Sequence, residues 1–459
     1  MLKKLIGTKQ FYKNVIVLTI PILIQNGITN FVNMLDNLMV GQVGQAEMIG
    51  VSVANQLIFV YNLSIFGAVS GAGIFGAQFF GNNDHKGLRD SFRFKIIFCT
   101  LLTVGVMALF FFCGPALIEL YLKGEGSAEA AQISLDSGYS YLKIMLIGLI
   151  PSTLAQCWSS TLRETGQTLP PMVAGVTAVF ANLILNYILI FGHFGAPEMG
   201  VDGAAVATVI SRFVELLIVA VWTFADRERN IFIVGAFRSL RVPMALVKSI
   251  TVKGIPLMVN EALWSAGVAF VNRCYSTEGL EVVAANNIAQ TFLSVFSVAF
   301  LSVGVAIGII LGQLLGAGKE KEAKEDSLKL ITFSVFVSVI VAILFALSSF
   351  FIPDFYNVDE SVKLLATKMM IICAVAIPLD AVANACYFTL RSGGEAMITI
   401  IFDCGFMWVV SASVAFVLTS FTSLSILPIF AICQGLNFLK DVIGMIFVKK
   451  GKWVKRIVE

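Results

Sequence analysis

Between Val15 and Val448 the chain alternates apolar stretches of roughly 20 to 25 residues with short charged segments. Such a stretch matches the length of α-helix that crosses a ~30 Å hydrocarbon core, where only a helix or a closed barrel satisfies its own backbone polar groups. Of 459 residues, 58% are hydrophobic and only 13% are Asp, Glu, Lys or Arg, against about 25% in a soluble domain. A water-soluble globule is excluded. A transmembrane barrel would show ten-residue alternation, which Phe-rich runs such as 108–112 lack. The fold class is therefore an all-α polytopic membrane protein with twelve spans. They lie at about 15–40, 48–80, 94–121, 139–162, 169–192, 203–225, 254–275, 284–315, 328–352, 364–390, 397–420 and 426–448. Spans 2 and 8 are longer than one perpendicular crossing needs, so tilt or extension beyond the bilayer is expected there.

Placing both termini on one side puts 25 of the 32 Lys and Arg there, which by the positive-inside rule is the cytoplasm and implies a cell (plasma or inner) membrane location. Four lysines precede span 1 and no small-residue cleavage site follows, so a retained first span is expected rather than a signal peptide. A net charge of +3 implies no nucleic-acid partner. The eight cysteines sit in apolar stretches without Cys-x-x-Cys or nearby His, which favours buried free thiols over zinc or disulfides.

An internal repeat organises the chain. At an offset of 235 residues Ile20-Pro21 aligns with Ile255-Pro256, Gly44 with Gly279, Ala54 with Ala289, Gly73 with Gly308, Gln78 with Gln313, Gly81 with Gly316 and Lys86 with Lys321. Ile150-Pro151 and Thr161-Leu162-Arg163 with Gly166 match Ile377-Pro378 and Thr389-Leu390-Arg391 with Gly394, at offsets of 227 and 228. Two homologous six-span lobes follow, expected at 1–225 and 254–459 and sharing one orientation. The basic stretch 226–253 joins them, and an interfacial linker helix is expected after Pro243.

Ionisable residues in hydrocarbon cost several kcal/mol, so each is a candidate for function. Asp36 lies among Asn26, Asn30, Asn33 and Asn37, whose spacing forms one helical stripe lining either water or a helix seam. Glu261 follows Pro256 by five residues and Asp380 follows Pro378 by two. Asp380 is eleven residues from Arg391, roughly 16 Å deep at 1.5 Å per residue. Within the repeat Asp36 corresponds to Val271, Glu261 to Asn26 and Asp380 to Ser152 or Thr153, so none of the three acids belongs to the shared scaffold. Each can exchange a proton or hold Na+, and the residues alone leave that choice open. Asp403 in span 11 either braces the bundle or touches ion or substrate. Asn182 and Asn186 are spaced i, i+4 on one face. Lys440 either pairs with Asp441 or snorkels, and Arg212 with Glu215 is a self-neutralising i, i+3 pair. Some of the 38 Phe residues offer flat faces to planar organic cations.

Nothing here builds a nucleotide site or a catalytic constellation. Gly318-Lys319 fails as a P-loop because Gln313 and Glu320 occupy its Gly and Ser/Thr positions, and the two histidines, His85 and His193, sit in loops. Taken together, Asp36-Asn-Leu-Met-Val-Gly41 with Gly44, Asn182-Leu-Ile-Leu-Asn186-Tyr187, Phe191-Gly-His-Phe-Gly-Ala-Pro197, Gly203 to Thr208 and Asp380 before Leu390-Arg391 resemble the multidrug and toxic compound extrusion (MATE) family over nearly the whole chain. The resemblance implies two six-helix lobes around a central cavity. The likeness to NorM-type members implies an N-lobe site of Asp36, Asn182, Asn186 and Thr208 and a C-lobe cation site of Glu261 and Asp380. Here Glu261 lies nearer its proline than in that pattern, and Asn186 stands where DinF-type relatives carry Asp. The expected activity is an antiporter, not an enzyme, that exports small organic, cationic compounds in exchange for Na+ or H+ by alternating access. It needs no cofactor beyond the coupling ion, with Na+ placed at Glu261, Asp380 or Asp36, and works as a monomer among membrane lipids. The alternatives are a lipid-linked oligosaccharide flippase and a membrane-embedded enzyme or scaffold.

Overall fold

The computed structural model describes residues 6–41, 43–122, 128–356 and 358–458, without the side chains of 33, 34, 36–38, 41, 45, 128 and 130. Twelve helices are long and apolar enough to span a membrane, and no strand occurs among the described residues. They are α1 (Lys9–Gly41), α2 (Gln45–Gly81), α3 (His85–Leu122), α4 (Ala128–Glu164), α5 (Leu169–Phe191), α6 (Gly200–Ala225), α7 (Met244–Ser276), α8 (Leu280–Gly316), α9 (Glu320–Ser348) and α10 (Glu360–Ser392). The last two spans are α11 (Ala396–Phe421) and α12 (Ile426–Lys450). Over 401–412 α11 is wound as π-helix apart from Phe406. Helices α2 and α8 each run 37 residues, the extra length expected of spans 2 and 8.

Local chemistry sets the helix ends. Pro170 and Pro171 occupy the first turn of α5, where no backbone donor is needed, and Gly192 ends it at φ 69°, a left-handed conformation suited to glycine. Asp84 accepts the Gly87 amide at 2.9 Å and so caps the start of α3. Pro21, Pro151, Pro256 and Pro378, paired across the repeat, all lie inside continuous helices. Each removes one backbone donor without breaking its span.

By its contacts the chain forms two units. The N-unit comprises Ile24–Gly76 and Asp84–Thr251, and the C-unit comprises Met1–Leu23, Ala77–Asn83 and Val252–Glu459. The start of α1 and the end of α2 thus count with the second repeat. In the N-unit a core around Tyr61, Ile118, Leu142 and Leu149 joins α2, α3 and α4. In the C-unit one core gathers Phe345, Met369, Met370 and Phe430, and another gathers Val15, Leu311, Leu390 and Trp453.

Small residues let these helices touch. A Cβ on Gly50 would come 2.1 Å from the Ser134 carbonyl oxygen, and one on Gly138 would come 2.7 Å from that of Gly50. Within the C-unit a Cβ on Gly81 would lie 2.0 Å from the Gln313 carbonyl oxygen and one on Gly316 would lie 1.9 Å from that of Gln78. The repeat pairs Gln78 with Gln313 and Gly81 with Gly316, so this crossing is reciprocal. Gln78 also donates to the carbonyls of Ser392 at 3.1 Å and Lys455 at 3.2 Å, and its Oε1 accepts the Ile457 amide at 2.8 Å. The segment after α12 is thereby stitched to the end of α2, with Trp453 fully buried beside it.

The stretch 226–253 differs from the separate interfacial helix expected there. Phe232 is buried edge-on against Phe92 at 5.0 Å, and Arg93 donates to the carbonyls of Gly235 and Ala236, both at 2.7 Å. The helix that starts after Pro243 runs on through Gly254 and Pro256 without a break as α7. The expected N-terminal boundary at 225 likewise differs from the contact units, which carry the N-unit on to Thr251.

Replacing Gly316 by Val forces backbone apart at the crossing and is expected to lower stability by about 1–3 kcal/mol. Gly105→Ala, where a Cβ meets nothing within 4 Å, is expected to be neutral or to stabilise by about 0.4–1 kcal/mol. Thermal unfolding in detergent separates the two, and equal melting temperatures would contradict the crossing's role.

Candidate functional site

In the N-unit the side chains of Asp36 and Asn33 lie outside the described residues. The other candidates there are brought together. Asn186 donates to Asn182 Oδ1 at 3.3 Å, Asn182 donates to Thr208 Oγ1 at 3.1 Å, and Thr208 donates to the Ala204 carbonyl at 3.0 Å. The amides share a face of α5 because four residues make about one turn. Thr208 reaches them because α6 approaches closely: a Cβ on Gly203 would lie 2.6 Å from the Leu189 carbonyl oxygen. Both asparagines are buried.

Two N-unit clusters escape a reading along single helices. Tyr61, Thr103 and Thr153 form a closed, buried hydroxyl triangle, with Tyr61 to Thr103 at 3.0 Å and Thr103 to Thr153 at 2.9 Å. Its Thr153 is, with Ser152, one of the two residues at the repeat position of Asp380. Nearer the ends of α3 and α4, Lys95 donates to both Glu164 oxygens at 2.6 Å and to Thr161 at 2.9 Å, with its ammonium shielded from solvent. Gly73 and Gly76 on α2 make room, since a Cβ on them would come 2.8 and 2.0 Å from the Glu164 oxygens.

The C-unit holds the larger polar cluster. Tyr387 donates to Glu261 Oε1 at 2.6 Å, and Arg391 donates to the Tyr387 hydroxyl at 3.1 Å while lying 3.7 Å from the same carboxylate oxygen. Arg391, one residue beyond the expected span 364–390, is 5% exposed and belongs to this interior network. Asp380 accepts Asn437 Nδ2 at 2.7 Å. The contacts of Glu261 and Asp380 therefore run to different partners. Asp403 accepts Lys440 Nζ at 2.7 Å and Asn260 Nδ2 at 3.0 Å. Lys440 pairs with this acid thirty-seven positions earlier in the chain rather than with its neighbour Asp441. Arg212 and Glu215 form the expected pair at 3.0 Å.

Sequence signals for the missed members exist in hindsight. Asn437, Lys440 and Asp441 are spaced i, i+3, i+4, as are Asp380, Asn384 and Tyr387 at i, i+4, i+7, so each set shares a helix face. Among the described residues no trio of His, Cys, Asp and Glu converges on a metal position, and all eight cysteines are free.

Two six-span repeats with carboxylates and amides buried between apolar helices define a polytopic membrane transporter. The MatE family model matches residues 21–188 and 256–417, two segments whose starts are one repeat offset apart. The chain belongs to this family of multidrug efflux transporters. It is 26% identical over 455 residues to a probable multidrug resistance protein NorM of Thermotoga maritima, covering 97% of this chain and 94% of that one. A protein of the same description in Haemophilus ducreyi is 28% identical over 380 residues, covering 80% and 78%. An outward-facing structure of a MATE family multidrug resistance transporter superposes with a TM-score of 0.87 over 98% of this chain and 97% of that one. A transporter of the same superfamily from Pyrococcus furiosus, described by the reverse polarity of its binding pocket, superposes at 0.83 over 98% of each chain. Both are 19% identical and speak to the fold.

Removing one partner of the Lys95–Glu164 pair strands a charge in apolar surroundings. Lys95→Met is expected to cost about 3–5 kcal/mol, and adding Glu164→Gln is expected to recover most of it. A double-mutant cycle of melting temperatures measures this, and additive losses would show that the two groups do not depend on each other.

Proposed function

We propose that the protein exports small organic cations across a cell membrane in exchange for Na+ or H+, with both termini in the cytoplasm. The observation that carries this reading is the set of carboxylates within the spans that the repeat does not share. Asp380 is the clearest of them: it lies inside α10, two residues beyond Pro378, where one amide donor from Asn437 reaches it at 2.7 Å. A carboxylate held so sparingly in hydrocarbon is suited to take up and release a cation. In the N-unit the Asn186–Asn182–Thr208 chain supplies polar groups beside the span that carries Asp36, and amides and hydroxyls there can orient a cationic substrate without fixing its charge.

Coupling follows from differential affinity. A cation bound to one arrangement of the two lobes stabilises it, and organic substrate favouring the other completes the exchange. No side chain is consumed, so the cycle needs no enzyme chemistry and no cofactor besides the coupling ion. The proposed working unit is the monomer in its lipid bilayer.

Proteoliposomes under an imposed Na+ or H+ gradient are expected to move a fluorescent organic cation against its concentration gradient. Flux indifferent to both gradients would refute the exchange mechanism. Asp36→Asn is expected to reduce coupled flux by about tenfold or more while the protein still folds and inserts. Unchanged coupling would remove Asp36 from the mechanism.

A further inference from the structure

The segment between α6 and α7 packs over the start of α3, and its two faces differ in chemistry. The inner face is aromatic. Phe232 is fully buried edge-on to Phe92 at 5.0 Å, and Phe237 stacks on Trp158 at 6.0 Å and on Phe224 at 6.4 Å. Arg93 of α3 fixes the backbone between these rings by donating to the carbonyls of Gly235 and Ala236, while its Nη1 holds Asp90 at 2.8 Å. The segment is therefore a set part of the N-unit.

The outer face carries cations beside exposed apolar groups. Gly235 turns at φ 74°, a left-handed conformation that glycine adopts without strain. A Cβ there would lie 3.3 Å from Arg89 Nη1 and 3.7 Å from Arg238 Cδ, so one arginine from α3 and one from the segment flank the same turn. Among the described residues neither meets a carboxylate: Asp90 is taken by Arg93, and Arg89 Nε is shut off from solvent with no hydrogen-bond acceptor. A buried donor left unmade is costly, and two guanidinium groups at one turn repel each other. An anion between them answers both demands.

The apolar groups say what carries that anion. Val234 and Phe237 on one side of the turn, and Leu240 and Met244 on the other, are exposed. They lie where α6 ends at Ala225, α3 begins at His85 and α7 begins at Met244, which is where these spans meet the membrane surface. Arginines interleaved with exposed apolar side chains at that depth suit an acidic lipid surface. We propose that Arg89 and Arg238 hold the phosphate of one anionic phospholipid, whose acyl chains lie on Leu240 and Met244, and that this lipid ties α3 to the segment joining the repeats. Planar guanidinium forks suit a phosphate that accepts several donors at once. A free phosphate would meet the charge and leave Leu240 and Met244 uncovered. The site is apart from Asp36, Glu261 and Asp380 and is independent of the exchange reading.

The test is native mass spectrometry of the purified full chain in detergent, titrated with dioleoylphosphatidylglycerol and, as comparison probes, dioleoylphosphatidylcholine and inorganic phosphate. One phosphatidylglycerol is expected to bind about tenfold or more tighter than either comparison probe and to raise the melting temperature. Arg89→Gln and Arg238→Gln are each expected to weaken that binding by about fivefold, the effect of one cation near an acidic lipid surface. Lys321→Gln, which removes the same charge from the first turn of α9, is expected to leave it within about twofold of the parent. Arg238 is exposed, so its variant keeps the fold, as the melting temperature without lipid verifies. Equal affinity for phosphatidylcholine, an equal loss in Lys321→Gln, undiminished binding in either arginine variant, or displacement of the lipid by an equal concentration of phosphate would each overturn the site.

Discussion

A polar group in hydrocarbon has no water to fall back on, and this single cost organises the protein. It forces the backbone into helices that satisfy their own donors and acceptors. It also removes the hydrophobic drive for helices to associate, since lipid is as apolar as leucine, and leaves close contact and interhelical bonds to hold them. The glycine approaches at Gly50, Gly81, Gly138, Gly203 and Gly316 are one answer to that problem. The other is the pairing of ionised side chains within the bundle, as among the described residues Lys95 with Glu164, Arg391 with Glu261 and Lys440 with Asp403.

What could be read along the chain follows from the same physics. The twelve spans were legible because the hydrocarbon thickness imposes a length, and the repeat was legible because its glycines and prolines recur at span ends. Contacts within one helix were equally plain, as with Arg212 and Glu215 or Asn182 and Asn186. Contacts between helices were not. The Glu261–Tyr387 bond joins residues 126 positions apart, and nothing in local spacing marks it. Arg391 shows the limit well, because a buried arginine in the last turn of a span helix reads like one just outside it. The joining segment misled for a related reason: the fixed φ of Pro243 signals a helix start, but whether that helix stays separate depends on the span it runs into.

Gln78 illustrates a third kind of information. Its recurrence as Gln313 marks it as part of the repeat, yet its side chain is used to bind Ser392, Lys455 and Ile457. Duplication conserves the helix crossing, where Gly81 and Gly316 each approach the backbone of the other helix's glutamine. A repeat match identifies where backbone must pass closely, and it is a poor guide to which polar bonds are made there.

The repeat also explains why the acids single themselves out. Arg163 and Arg391 occupy one place in the repeat: Arg163 donates to Gln25 of α1, while Arg391 donates to Tyr387 of its own helix and lies 3.7 Å from Glu261 of α7. At the position of Asp380 the other half has hydroxyls that close on one another and demand nothing further. A bundle that can fill the position with Tyr61, Thr103 and Thr153 does not require a carboxylate there to fold. The charge at Asp380 is therefore a cost that the fold itself does not require, and the repeat makes it visible because the other half meets the same packing demand with neutral hydroxyls.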